Sequence, residues 1–180
     1  MEAPTVVDVC GSLREMSYTR ISLGHALDAA AEAGAETRLI DLRFWELPLF
    51  DPEHPECGDA TKLQRIIGDA DAVIVGTPID NGMVSSVLVN AFEYLTDGEF
   101  EGTTVGLLAT ASGSSHGPPL DQLRTGIRTV RGWCLPHEVA ICGPSNVFNN
   151  GEFVDHDLAA RVYTLGRMAT RYARTEPYSV

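Results

Sequence analysis

The sequence predicts a doubly wound α/β domain, a parallel sheet with helices on both faces. Three observations lead there. Short apolar runs alternate along the chain with longer stretches whose apolar residues recur at helical spacing. The run Ala72-Val73-Ile74-Val75-Gly76 is apolar throughout, as a strand covered on both faces should be. The segments after the first, third and fourth strand-like runs are rich in glycine and hydroxyl residues. In such sheets, ligands sit beyond the carboxyl ends of the strands.

Taken in order, Thr5 to Cys10 reads as the first strand and breaks at Gly11. A helix from near Ser17 to Ala33 follows and stops at Gly34, a usual place for a C-cap glycine. Ala26, Ala29, Ala30 and Ala33 are small enough to let it lie close on the sheet. Glu36 to Leu42 reads as the second strand, with Thr37, Leu39 and Ile40 supplying strand character. Phe44 to Pro55, rich in proline and aromatics, reads as a loop over an edge of the sheet, with Trp45 and Phe50 as packing residues. Lys62 to Ile67 is a short helix and Ala72 to Gly76 the third strand, ending in a second loop, Thr77-Pro78-Ile79-Asp80-Asn81-Gly82. Val84, Val87, Leu88, Ala91, Phe92 and Leu95 then form the clearest helical stripe in the chain. Thr104 to Ala109 is the fourth strand, ending in a third loop from Thr110 to Gly117. Leu120, Leu123, Ile127 and Val130 line a fourth helix, Trp133 to Cys142 contains the fifth strand, and Leu158, Val162, Leu165, Ala169 and Tyr172 mark a last helix. Five strands alternating with five helices, with no repeat or linker, make residues 1–180 a single domain.

Composition narrows the partners. A net charge of -12 argues against nucleic acid, whose binding draws on clustered lysine and arginine. No apolar run is long enough to span a bilayer, and the N-terminus lacks a basic segment followed by a long apolar one, so neither membrane nor export is expected. Cys10, Cys57, Cys134 and Cys142 show no C-x-x-C spacing, so the expectation is no metal and no disulfide framework, but thiols in a reducing, cytoplasmic setting.

The first loop carries the chemistry. Backbone N–H groups after a strand, together with the positive end of the following helix, form an anion site. Ser12, Ser17 and Thr19 add neutral donors, and Arg14 adds a charged fork suited to phosphate. There is no G-x-x-x-x-G-K-[ST], since the only lysine is Lys62, and no G-x-G-x-x-G. A phosphate is expected, but not a nucleoside triphosphate.

Gly11-Ser12-Leu13-Arg14 with Ser17, the Thr77-Pro78 loop running into Asn81-Gly82, Leu88 and Asn90-Ala91, and the Thr110 to Gly113 segment together resemble the NADPH-dependent FMN reductase family. The first loop meets that family's G-S-x-R-x-x-S pattern residue for residue. The resemblance implies a flavodoxin-like fold with strand order 2-1-3-4-5 and, as cofactors, FMN and NADPH. It implies a phosphate held by Ser12, Arg14, Ser17 and Thr19 beside Tyr18. Pro78, Ile79, Asp80, Asn81 and Gly82 would border the flavin ring, and Thr110, Ala111, Ser112 and Gly113 would meet its pyrimidine edge. Asp80 departs from the pattern, standing where an aromatic residue often flanks the ring. The implied activity is hydride transfer from NADPH to bound flavin and on to a small-molecule electron acceptor such as free flavin, a quinone or an azo compound. The alternative is an FMN-binding electron carrier or redox sensor that does not oxidise a nicotinamide directly.

Such chemistry needs no side-chain nucleophile or general acid, because the cofactor carries it. His116 reads as an ordinary loop residue ahead of a ring contact, and Arg124, Arg128 and Arg131 as a solvated or subunit-facing stripe ahead of an NADPH phosphate site. The resemblance also implies a homodimer or homotetramer, with Val89, Tyr94 and Phe100 as candidate contact surface. Asp8 is an oddity, a carboxyl inside a strand expected to be central.

Overall fold

The computed structural model describes residues 2–113 and 117–173. Its main sheet contains β1 (Thr5–Cys10), β2 (Glu36–Asp41), β3 (Ala72–Asp80), β5 (Thr104–Ala111) and β6 (Trp133–Cys142), all parallel, in the order β2-β1-β3-β5-β6. This is the 2-1-3-4-5 order expected, with the strands renumbered because a two-residue strand, β4 (Met83–Val84), pairs antiparallel with the end of β3. Strand alternation sends successive side chains to opposite faces and produces two cores. Val7, Val9, Val73, Val75 and Leu107 face α2 (Ala60–Gly68), α3 (Ser86–Glu93) and α5 (Gly117–Thr129), packing with Leu63, Leu88 and Leu123. Val6, Cys10, Ile74 and Leu108 face α1 (Tyr18–Glu32) and α6 (His156–Tyr172), packing with Leu23, Ala26 and Leu165.

The small residues of α1 act against a helix as well as the sheet. A Cβ added at Gly166 of α6 would come 2.0 Å from the Ala26 carbonyl oxygen, so the two helices touch backbone to side chain through Ala26, Ala29 and Gly166. Ala26, Ala29 and Ala30 are buried, whereas Ala33 is exposed. Gly34 has φ +96° and ends the helix as expected.

Three parts of the chain differ from the sequence reading. The third strand does not stop at Gly76. It runs to Asp80 and turns through Asn81 (φ 53°) and Gly82 (φ 73°) into β4. Two consecutive positive φ values are what a tight hairpin with the right-handed twist of its strands requires, and Asn-Gly supplies them. A short helix, α4 (Asp97–Phe100), adds to the five expected; Thr96 and Glu99 cap it reciprocally, the Glu99 carboxylate accepting from the Thr96 N–H at 2.6 Å. A second Asn-Gly hairpin joins β7 (Phe148–Asn149) to β8 (Glu152–Phe153), ahead of α6.

The 44–55 segment is fastened to α3 more than to a sheet edge. The Asn90 side chain accepts from the Phe50 N–H at 2.9 Å and donates to the Pro48 carbonyl at 2.8 Å, which also accepts from the Tyr94 hydroxyl. Trp45 packs on the core with Lys62 over its ring, and Phe50 meets Tyr94 edge-on, as packing residues.

Asp8 is fully buried on the α1 and α6 side, and among the described residues neither carboxylate oxygen has a hydrogen-bond partner. Burial pushes its carboxyl well above the usual range.

Candidate functional site

The carboxyl ends of β1, β3 and β5 lie side by side, so the three loops expected to act together are brought together. Gly11 is needed for close approach. Its N–H donates to the Gly76 carbonyl at 2.8 Å, and a Cβ there would come 2.7 Å from Ser85 Oγ and 2.9 Å from Leu88 Cβ. The start of α3 is therefore seated directly on the first loop.

Beyond Gly11 the loop is shaped by its own polar groups. Ser12 is buried, and its hydroxyl accepts from the Arg14 N–H at 3.4 Å. Ser17 caps α1, its hydroxyl accepting from the Arg20 N–H at 3.1 Å. Arg20, which the sequence reading passed over, donates to the Glu15 and Arg14 carbonyls at 3.0 and 3.1 Å and reaches both oxygens of Asp41 at the end of β2. The Asp41 hydrogen bond raises the Arg20 pKa further, so the guanidinium is a fixed positive anchor. Beneath the loop, burial holds the Cys10 thiol protonated by pushing its pKa up to about 11.

Two adjoining cavities open above these strands. The smaller, about 190 Å³, is lined by Ser12, Arg14, Ser17, Tyr18 and Thr19 from the first loop, Pro78, Ile79 and Asp80 from the second, and Thr110, Ala111 and Ser112 from the third. Met16, Gly143, Pro144 and Ser145 complete it. The larger, about 410 Å³, shares Ser12, Arg14, Pro78 and Asp80 and extends past Gly11 and Leu13 to Ser85, Ser86 and Val87 at the start of α3. At the boundary Arg14 and Asp80 form an ion pair, Nη2 to Oδ1 3.6 Å. Thr19 and Thr110 join the first and third loops through a buried hydroxyl–hydroxyl hydrogen bond of 2.7 Å. The Tyr18 ring stacks on Phe148 with centroids 5.5 Å apart.

Eleven of the fourteen residues expected at the site thus line one cavity. Asn81, Gly82 and Gly113 are not among its lining residues, and the first two form the turn of the β3–β4 hairpin. The missed wall, Gly143 to Ser145, lies where β6 ends beside β5, the Gly143 N–H donating to the Ala111 carbonyl at 2.9 Å. The ligand rule for parallel sheets was its only signal in the sequence. Ser114, Ser115 and His116 lie outside the described residues. Arg124, only 21% exposed, is paired with Asp121 and Glu138, and Arg131, which lies beyond the end of α5, with Glu101. Among the described residues no cluster of His, Cys, Asp and Glu side chains is arranged to hold a metal, and no helix is long and apolar enough to cross a membrane.

The sheet order and a crevice at the switch point define a flavodoxin-like α/β protein. The chain belongs to the NADPH-dependent FMN reductase family, whose model matches residues 4–144, from the first strand through Pro144 of the crevice. FMN and NADPH are accordingly its cofactors. It is 29% identical over 141 residues to an NADPH azoreductase from a Bacillus species, covering 77% of this chain and 76% of that one. It is 33% identical over 123 residues to a 2-hydroxy-1,4-benzoquinone reductase from a Burkholderia species, covering 60% and 64%. Among solved structures, FerB of Paracoccus denitrificans, a flavoenzyme NAD(P)H:(acceptor) oxidoreductase, shares the fold with a TM-score of 0.79 at 18% identity, over 97% of this chain and 99% of that one.

Proposed function

We propose that the crevice holds FMN and that the protein passes reducing equivalents from NADPH to a small-molecule acceptor of the quinone or azo class. The carrying observation is the convergence of the three loops on one cavity whose donors are hydroxyls, backbone amides and a single guanidinium. That donor set fits the cofactor. Ser12, Ser17 and Thr19, with the start of α1 and Arg14, suit a phosphate. The neutral surfaces of Pro78, Ile79, Ala111 and Ser112 suit an uncharged heterocycle. FMN, when bound, supplies two-electron exchange between nicotinamide and acceptor. The chain's own part is to position it: Arg20 holds the first loop in shape, and the Thr19–Thr110 hydrogen bond holds that loop to the third.

The names of the Bacillus and Burkholderia relatives support the acceptor classes. The test is NADPH oxidation by the FMN-loaded protein with a benzoquinone or an azo dye. Turnover that needs both FMN and acceptor supports the reading; bound FMN without NADPH oxidation favours the carrier or sensor.

The assembly proposed is a homodimer, or a homotetramer built from it, in a cytoplasmic setting. Tyr94 and Phe100, expected at the contact, are buried in the core and unavailable. Val89 is exposed, and with Phe92, Gly126 and Val130 it lines an apolar cavity of about 330 Å³ between α3 and α5. Sedimentation of Val89→Glu against the parent protein tests this face.

A further inference from the structure

Arg14 and Asp80 are the only charged residues among the described residues lining either cavity, and they face each other at the boundary both cavities share. Both side chains are mostly exposed, 73% for Arg14 and 60% for Asp80. The crevice therefore has no net side-chain charge from these linings, although its loops are built to receive an anion. Arg14 has two competing partners, the carboxylate it already faces and any phosphate entering over Ser12 and Ser17.

We propose that Asp80 is a charge selector, a specificity-determining residue that holds Arg14 and lowers the affinity of the crevice for phosphate-bearing ligands. This rests on the reading that the crevice binds FMN, and deepens it. A phosphate must draw Arg14 from Asp80 and then tolerate a carboxylate close by. An uncharged flavin suffers neither effect. Asp80 sits at the base of the β3–β4 hairpin, in register with Met83, so its place relative to the first loop is set by sheet pairing and not by a mobile loop. The consequence is a flavin that exchanges with free flavin more readily than the first loop alone would allow.

The experiment compares FMN with riboflavin, which has the same ring and no phosphate, on the parent protein and on Asp80→Asn, by quenching of flavin fluorescence. Asparagine is nearly isosteric and keeps the hairpin. The expected result is FMN bound about 3- to 10-fold more tightly by Asp80→Asn, as befits an exposed pair, with a smaller change in riboflavin affinity. The gain shrinks in 1 M salt, where the screening length is about 3 Å. It also shrinks in an Arg14→Ala background. Equal changes for FMN and riboflavin, an FMN affinity that stays the same or falls, or a full gain without Arg14 each overturn the selector while leaving the FMN site standing. Failure of the parent and both variants to bind either flavin overturns the site itself, and the selector with it.

Discussion

The hydroxyls of Thr19 and Thr110 lie 2.7 Å apart, closing a buried hydrogen bond between the first turn of α1 and the end of β5 across 91 residues of sequence. Both side chains line the crevice, so this bond is a structural tie between two of its walls.

Replacing either threonine with valine keeps the shape but leaves the other hydroxyl without this partner. Each single variant is expected to lose about 1–3 kcal/mol in urea unfolding, because a buried polar group left unmatched costs more than a hydrogen bond contributes. The double variant is expected to lose less than the sum of the singles, which a double-mutant cycle measures directly. Strict additivity would mean that the two hydroxyls do not interact.

Arg20 ties the first loop to β2 through two backbone carbonyls and Asp41, and its side chain is only 23% exposed. Arg20→Ala is expected to cost about 1–3 kcal/mol of stability and to weaken FMN binding, although Arg20 does not line either cavity. Arg20→Lys should recover little, because an ammonium cannot reproduce the planar fork. A melting curve and an FMN titration together check this. Reduced stability with unchanged FMN affinity would show that the loop keeps its shape without the clamp.

Asp8 makes stability depend on pH. Its folded pKa is raised well above 3.8, so the native state holds a proton that the unfolded chain gives up near pH 4. The folded state is therefore most favoured below that unfolded value, and stability is lost as pH rises toward the raised folded value. Asp8→Val should stabilise the protein at pH 7 by about 1–3 kcal/mol, with the gain shrinking toward pH 4. Urea unfolding at pH 4, 5.5 and 7 reads this out. A gain independent of pH, or a loss at pH 7, would contradict a neutral, unpartnered carboxyl.

The elements legible in the sequence are those whose signals are local. The apolar run at Ala72 marked a strand buried on both faces, Gly34 marked the end of α1, and Ser17 marked its start, because each is decided within one turn of chain. Asn81 and Gly82, expected beside the ring, form the β3–β4 turn, and Asn-Gly is a hairpin signal in its own right that the family pattern does not make explicit. Tyr94 and Phe100 lie off the Val84–Leu95 stripe, and nothing local in the sequence shows what covers them. For Tyr94 part of the cover is the 44–55 segment, bonded through Pro48 from 46 residues away. Gly143 to Ser145 join the crevice only through the pairing of β6 with β5, and no local pattern announces that.

The most direct measurement is the visible absorption spectrum of the purified protein with FMN, followed anaerobically as NADPH is added. The expected result is a bound-flavin spectrum that bleaches on addition of NADPH and returns when a quinone is supplied. Bound flavin that stays yellow would contradict the reductase and leave a carrier or sensor, and no bound flavin at all would contradict the crevice as its site.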